Sequence, residues 1–206
     1  ISPELIKTLL ATEDIRFEEH SGIDLKGILA IGFYLIKGDS RGSSTISQQL
    51  AKNLFRTRSE KYDGTLAKQS KVLRKVFIKA KEWITAIQIE RAYTKKEIIT
   101  MYLNTVDFGS NAYGIKTAAK TFYATTPNKL GFEEAAVLIG LLKAPTFYSP
   151  ILNPERAELR RNTVYEQLYK YNFITKGDLV SMKSKPIKLK YVVENHNQGL
   201  ATYCRT

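Results

Sequence analysis

Residues 66 to 92 read LAKQSKVLRKVFIKAKEWITAIQIERA. Apolar residues recur at Val72, Val76, Ile84, Ile87 and Ile89, close to the helical period, which predicts one long helix over 66–92. Helix signals continue on both sides of it. Ser2-Pro3-Glu4 places a capping hydroxyl, a first-turn proline and an acid ahead of LIKTLLATED. Thr45 caps ISQQLAKNLF, and Thr94 with Glu97 forms a capping box before TKKEIITMYLN. Asp24 caps a helix expected to reach Leu35 and end at Lys37-Gly38. Further helices are expected over 111–123, 132–142, 154–171 and 175–182. Segments 39–44 and 56–64 read as polar connectors, and only LKYVVE (189–194) alternates like a strand. The pattern is that of an all-α fold.

The chain has 206 residues, 43% of them hydrophobic, enough for one compact domain with its own core. Charged residues make up 25%, which is ordinary for a globular protein and argues against disorder, but the formal net charge is +12. Such an excess attracts nucleic acid, an anionic membrane face or a phosphorylated substrate. A lone cysteine, Cys204, excludes an internal disulfide and a cysteine-built metal site. The most apolar run, ILAIGFYLI from Ile28 to Ile36, rises only about 14 Å as a helix, against roughly 30 Å of hydrocarbon. It reads either as a core helix or as a segment dipping into a membrane surface between Lys26 and Lys37.

Three clusters carry candidate chemistry. In TEDIRFEEHSGI (12–23), a continuous helix would put Glu13 and Phe17 one turn apart, with Asp14 about 100° away. A carboxylate beside an aromatic in a cleft loses water and becomes suited to moving a proton. Alone, the stretch reads more readily as an exposed acidic helix end. In RGSSTISQQLAKN (41–53), Ser44 and Thr45 precede a helix start, where unpaired N–H groups can cradle an anion. Gln48 and Gln49 suit sugar hydroxyls or amides, and Lys52 shares the face of Gln48; a plain capped helix would read the same. In KVLRKVFIKAKEWITAIQIE (71–90), Arg74, Ile78 and Glu82 lie at successive i, i+4 positions, and Lys75, Lys79 and Lys81 crowd the same cylinder. By itself, Glu82 is an ordinary salt-bridge partner in a solvated basic helix.

Together the clusters resemble a known family. TEDIRFEEHSGID resembles the pattern E-D-x-x-F-x-x-H-x-G that opens the peptidoglycan glycosyltransferases, glycosyltransferase family 51. GSSTISQQLAKN is similar to that family's second motif, and KEWITAIQIERAYTKKEIITMYLNTVDFGSNAYGIKTAA to its third and fourth. EEAAVLIGLLKAPTFYSPILNPERAELRRN is similar to the fifth, so the resemblance runs over about residues 8 to 184 in order. The family's usual arginines are replaced by Ile78 and Ala30, and the connector between Lys52 and Arg74 is longer than in shorter members.

The resemblance implies a lysozyme-like α-helical head, with a small hydrophobic lobe resting in the membrane and including 28–36. It implies a glycosyltransferase domain over 1–186 and, in 187–206, a linker toward an absent transpeptidase domain. NHNQGLATYCRT is similar to that junction in bifunctional penicillin-binding proteins, and no serine-lysine acylation motif occurs. The chain is therefore expected to be a fragment of a larger membrane-anchored protein working at the outer face of the bacterial cytoplasmic membrane. The implied substrate is lipid II, added to a lipid-linked glycan with inversion and release of prenyl pyrophosphate. Glu13 matches the family's general base and Glu82 its second glutamate, beside the donor phosphates. A divalent metal, Mg or Mn, is implied there at most. Lys52, Arg74 and Lys79 match positions facing the pyrophosphate, while Ser44, Thr45, Gln48 and Gln49 match positions binding sugar and phosphate oxygens. A lysozyme-like hydrolase or lytic transglycosylase is the alternative, and it lacks a reason for the cationic set. A nucleic-acid partner is not expected, because lysines here surround glutamates and amides rather than forming an arginine-rich recognition helix.

Overall fold

A computed structural model describes residues 1–28, 44–55 and 71–192. Among them the protein is all-α, with one isolated antiparallel bridge between Asp107 and Tyr113. The helices are α1 Pro3–Glu13, α2 Ile46–Phe55, α3 Lys71–Ala92, α4 Lys95–Thr105, α5 Ile115–Tyr123, α6 Phe132–Leu141, α7 Pro154–Lys170 and α8 Lys176–Ser184. A 3₁₀ turn, Phe17–Glu19, follows α1.

The starts are set by local chemistry. Ser2 Oγ accepts from Leu5 N–H at 3.2 Å with Pro3 in the first turn. Thr94 with Glu97 and Thr175 with Asp178 close reciprocal capping boxes. Asp24 accepts from Gly27 N–H at 2.8 Å and begins a helical turn over 25–28. The remainder of that expected helix, with most of the apolar run 28–36 and Ala30, lies outside the described residues. So do segments 39–43, 56–64 and 66–70 and the tail from 193, with Cys204.

Two expectations need correction. Helix α5 begins at Ile115 rather than at 111, because Gly109, Ser110 and Asn111 all take φ between 52° and 79°. A left-handed turn of three residues cannot continue into a right-handed helix. LKYVVE, as far as Val192, forms no strand. Its Lys190 and Val192 N–H groups instead donate to the Phe122 and Thr121 carbonyls at 2.9 and 2.8 Å. Those carbonyls belong to the last turn of α5, where the helix has no N–H left to offer. Ile187 and Leu189 pack against the core there.

Helix α6 reads FEEAAVLIGL, and every residue from Ala135 to Leu141 is buried. A helix apolar on all sides belongs at the centre, and α1 and α7 pack on it. Helix α8 covers α7, while α2 lies against α3 and α4. Leu5 and Leu9 of α1 join the main core with Leu50, Leu103 and Phe122. Ala11 joins a second core with Val164, Leu168 and Met182. Anchored in both cores, α1 holds its last residue, Glu13, against α2.

Candidate active site

Helix α1 stops at Glu13, because Asp14 adopts φ −160° and ψ 77°. Glu13 and Phe17 therefore do not share a helix face, contrary to the expectation. Phe17 turns into the core, where the Lys95 ammonium sits 4.2 Å from its ring centroid and His20 meets it edge-on. The break lets Asp14 point inward. Its Oδ2 accepts from Ile46 N–H at 3.0 Å, satisfying one of the donors that the first turn of α2 leaves unpaired. Gly22 N–H donates to His20 Nδ1, so the ring proton lies on Nε2 and donates to Asp14 at 3.0 Å.

Gly22 completes the junction. Its carbonyl accepts from Thr45 Oγ1 at 2.8 Å and from Gln48 Nε2 at 3.1 Å. Its φ is 95°, and a Cβ there would lie 2.8 Å from the Ala86 carbonyl carbon of α3. Only glycine fits both the backbone and that approach. Thr45 also caps α2, accepting from Gln48 N–H at 3.2 Å. Thr45 and Gln48 are both buried, with their polar atoms directed into the protein.

Glu13 is half-buried, and what stands beside its carboxylate is Gln49. Gln49 Nε2 donates to Glu13 Oε2 at 2.9 Å, and Gln49 Oε1 accepts from the Tyr102 hydroxyl at 2.8 Å. An amide can present either end to a carboxylate; the phenol on its oxygen turns the NH₂ toward Glu13. Burial, and secondarily the Glu13 charge, pushes the Tyr102 phenol well above its ordinary range. It therefore stays a hydroxyl and a donor.

The second group gathers around Lys79, whose Nζ donates to Ser44 Oγ at 2.8 Å, Gln48 Oε1 at 2.9 Å and Glu82 Oε2 at 3.2 Å. Glu82 is only 2% exposed, and Lys79 is the nearer to solvent. Gln49 Nε2 also reaches the Ser44 carbonyl at 3.5 Å, linking the two groups across the head of α2. Lys52 lies one turn beyond Gln48 on α2. Arg74 lies two turns before Glu82 on α3, about 12 Å along the axis. Both are half-buried and engaged with neighbouring groups. Seven of the nine expected site residues thus meet at one place, and the other two lie further along the same two helices.

No three acidic or histidine side chains converge among the described residues. Glu82 already faces the Lys79 ammonium, so the donor set among the described residues does not fit a Mg or Mn ion held by protein groups alone.

The transglycosylase family model matches residues 1–169. This chain belongs to that family. Penicillin-binding protein 1A of Escherichia coli (strain K12) is 38% identical over 193 residues, covering 93% of this chain and 21% of that protein. Penicillin-binding protein 1A of Aquifex aeolicus is 40% identical over 192 residues, 92% of this chain and 24% of that one. The crystal structure of penicillin-binding protein 1A from Haemophilus influenzae matches at 34% identity with a TM-score of 0.45, over 48% of this chain and 15% of that chain. The chain spans between a fifth and a quarter of the length of these curated relatives.

Several residues that order this cluster are not among the expected site residues. Tyr102 looks like one more apolar position of α4, because its partner Gln49 is 53 positions away. Asp14 and His20 stand next to Glu13 in sequence but act as struts. Lys95 likewise ties the His20 carbonyl to Glu90, which in turn accepts from Ser47 on α2.

Proposed function

We propose that this domain is a peptidoglycan glycosyltransferase that extends a lipid-linked glycan with lipid II. The observation that carries the reading is the Gln49 amide holding the Glu13 carboxylate beside the Ser44–Lys79–Glu82 group. A base and a cationic anion-holder flank one helix start. Glu13 takes the proton from the acceptor sugar's 4-hydroxyl as its oxygen bonds to the donor's anomeric carbon. The bond from that carbon to the pyrophosphate oxygen breaks, and the prenyl pyrophosphate leaves with the electron pair. Attack opposite the leaving group inverts the centre and gives a β-1,4 link. The leaving group is already anionic, so it requires cations more than a proton. Lys79, Lys52 and Arg74 supply them, with Ser44 donating at the same place.

In this reading Glu82 orients Lys79, aiming its ammonium through their 3.2 Å contact. Thr45 and Gln48 act through position, by fixing the head of α2 on Gly22. Gln49 touches the base directly. No step is assigned to a metal. The prenyl tail keeps the substrate at the bilayer, and the apolar side chains left exposed support a membrane-facing side. Leu54 and Phe55 at the end of α2 and Leu73, Val76 and Phe77 at the start of α3 are all exposed, with Lys75 among them. No described helix is long and apolar enough to cross a membrane. A work site on the outer face of the cytoplasmic membrane, with a transpeptidase domain elsewhere in the full-length protein, completes the proposal.

Incubating the chain with lipid II in detergent and sizing the glycan tests it. Polymer whose new linkages between disaccharide units are β-1,4, as inversion requires, is the expected product. Shortened pre-formed glycan, without use of lipid II, would make the domain a hydrolase instead.

A further inference from the structure

A hollow of about 470 Å³ opens where the end of α5, the start of α6, the flank of α7 and the extended chain after α8 come together. It is separate from the site above. The neighbouring loop is pinned to the beginning of α1 by Ser2 N–H donating to the Pro127 carbonyl, whereas Glu13 ends that helix, about 16 Å away. Tyr123 and Tyr165 stand in the wall, 8% and 1% exposed. Neither hydroxyl has a hydrogen-bond partner among the described residues, and neither is among the buried polar atoms left without one, so both oxygens reach the open space of the hollow. Burial pushes both phenols far above their ordinary range, so both remain donors.

The rim is cationic. Lys129, Lys188 and Lys190 line the hollow and have no carboxylate partner among the described residues. The other charges are mostly committed. Lys185 pairs with Glu133 at 2.7 Å, and Arg161 is held by Glu158 at 3.0 Å and the Lys185 carbonyl at 2.8 Å. Glu134 accepts from Gly131 N–H at 3.0 Å as part of the α6 cap. The wall therefore offers two hydroxyl donors that face the hollow and a surplus of ammonium groups, in a space the size of a small-molecule site.

We propose that this hollow binds a small ligand through a phosphate or carboxylate group, held by the Tyr123 and Tyr165 hydroxyls and drawn in by Lys129, Lys188 and Lys190. Both anions offer the oxygen acceptors that the phenols need. The test is a solution titration of the chain with inorganic phosphate and, separately, citrate, with sorbitol as the uncharged control. Ring resonances of Tyr123 and Tyr165 are followed, each assigned by its phenylalanine variant, so that binding in the catalytic cleft is not counted. Saturable shifts of both rings with one of the two anions, and none with sorbitol, are expected; which anion acts tells phosphate from carboxylate. The Tyr123→Phe/Tyr165→Phe variant should bind at least tenfold more weakly without any fall in Tm, since it loses only unpartnered hydroxyls. Lys188→Ala/Lys190→Ala should weaken binding while leaving the fold intact. The proposal falls if neither anion moves these rings. It falls equally if the double phenylalanine variant binds like the wild type, or if its Tm drops by several degrees.

Discussion

Helices α2 and α6 are each ten residues long, and both are largely buried, yet they are buried for different reasons. Helix α6 removes seven consecutive small or apolar residues from water, and any set of neighbours with the right volume would hold it. Helix α2 buries Ile46, Leu50 and Ala51, but also Ser47 and Gln48. Each of those polar groups has an assigned partner: Glu90 for Ser47, and Gly22 and Lys79 for Gln48. An apolar core specifies how much is buried. A satisfied polar network also specifies which atom faces which, because a misplaced donor in a dry site is costly. That second kind of order holds Glu13, Gln49 and Lys79 in one arrangement.

The comparison makes stability and activity separable. Leu138, fully buried in α6, should give the largest effect when truncated. Leu138→Ala is expected to cost about 2–5 kcal/mol in urea unfolding, while the remaining folded molecules polymerise lipid II normally. Glu13→Gln should do the reverse. Its amide can still accept from Gln49, so the urea midpoint should hold, while turnover drops by about 10²-fold or more, some 2.7 kcal/mol on the barrier. A Glu13→Gln enzyme of near wild-type rate would remove Glu13 as the base.

Between these extremes, Gln48→Ala should affect both properties. It strips one donor from the Gly22 carbonyl and one acceptor from Lys79, at about 1–2 kcal/mol in unfolding, and turnover should fall as the ammonium loses its anchor. A purely structural loss would leave kcat of the folded fraction unchanged and would break the link drawn between α2 and Lys79.

Tyr102→Phe should be milder. Without the phenol, Gln49 is no longer turned toward Glu13, and kcat is expected to fall about tenfold with KM little changed. Combining it with Gln49→Ala should add almost nothing to Gln49→Ala alone, because both act through one contact. Additive losses would show that Tyr102 works by some other route.

The smallest effect concerns the Arg16–Asp24 clasp outside the polar network, with Arg16 Nη2 and Nε on the Asp24 carboxylate. Burial opposes the Asp24 charge, but the Arg16 bonds and the Gly27 N–H outweigh it and hold the carboxyl below its ordinary value. The folded chain thus binds that proton more weakly than the unfolded chain does. The clasp's contribution is complete above the unfolded value, about 3.9, and is lost as pH falls through the folded one. For this partly exposed pair, Arg16→Ala should cost about 0.5–1 kcal/mol at pH 7, and the gap to wild type should narrow progressively in urea melts as pH falls below about 3.9. A gap that persists at low pH would assign the effect to packing by the Arg16 stem.

Much of this protein is legible without coordinates. Hydroxyl and acid caps, proline at first turns and helical apolar spacing are local properties, and they placed α1, α2, α4, α6, α7 and α8 within a few residues. The ordered motifs carried the family and the seven residues that meet at the head of α2, since chemistry restricts which side chains can stand there. Other features depended on contacts between distant segments. The left-handed turn at 109–111 delayed α5, and the carbonyls at the end of that helix recruited Lys190 and Val192 where a strand was expected. The break after Glu13 sent Phe17 into the core and Asp14 onto the N-terminus of α2. Tyr102 acquired its role from an amide 53 residues away. Caps and periodicity act over a single helical turn, so one stretch of sequence expresses them. A buried hydrogen bond between remote segments exists only after the chain has closed on itself, and only the tertiary structure could decide it.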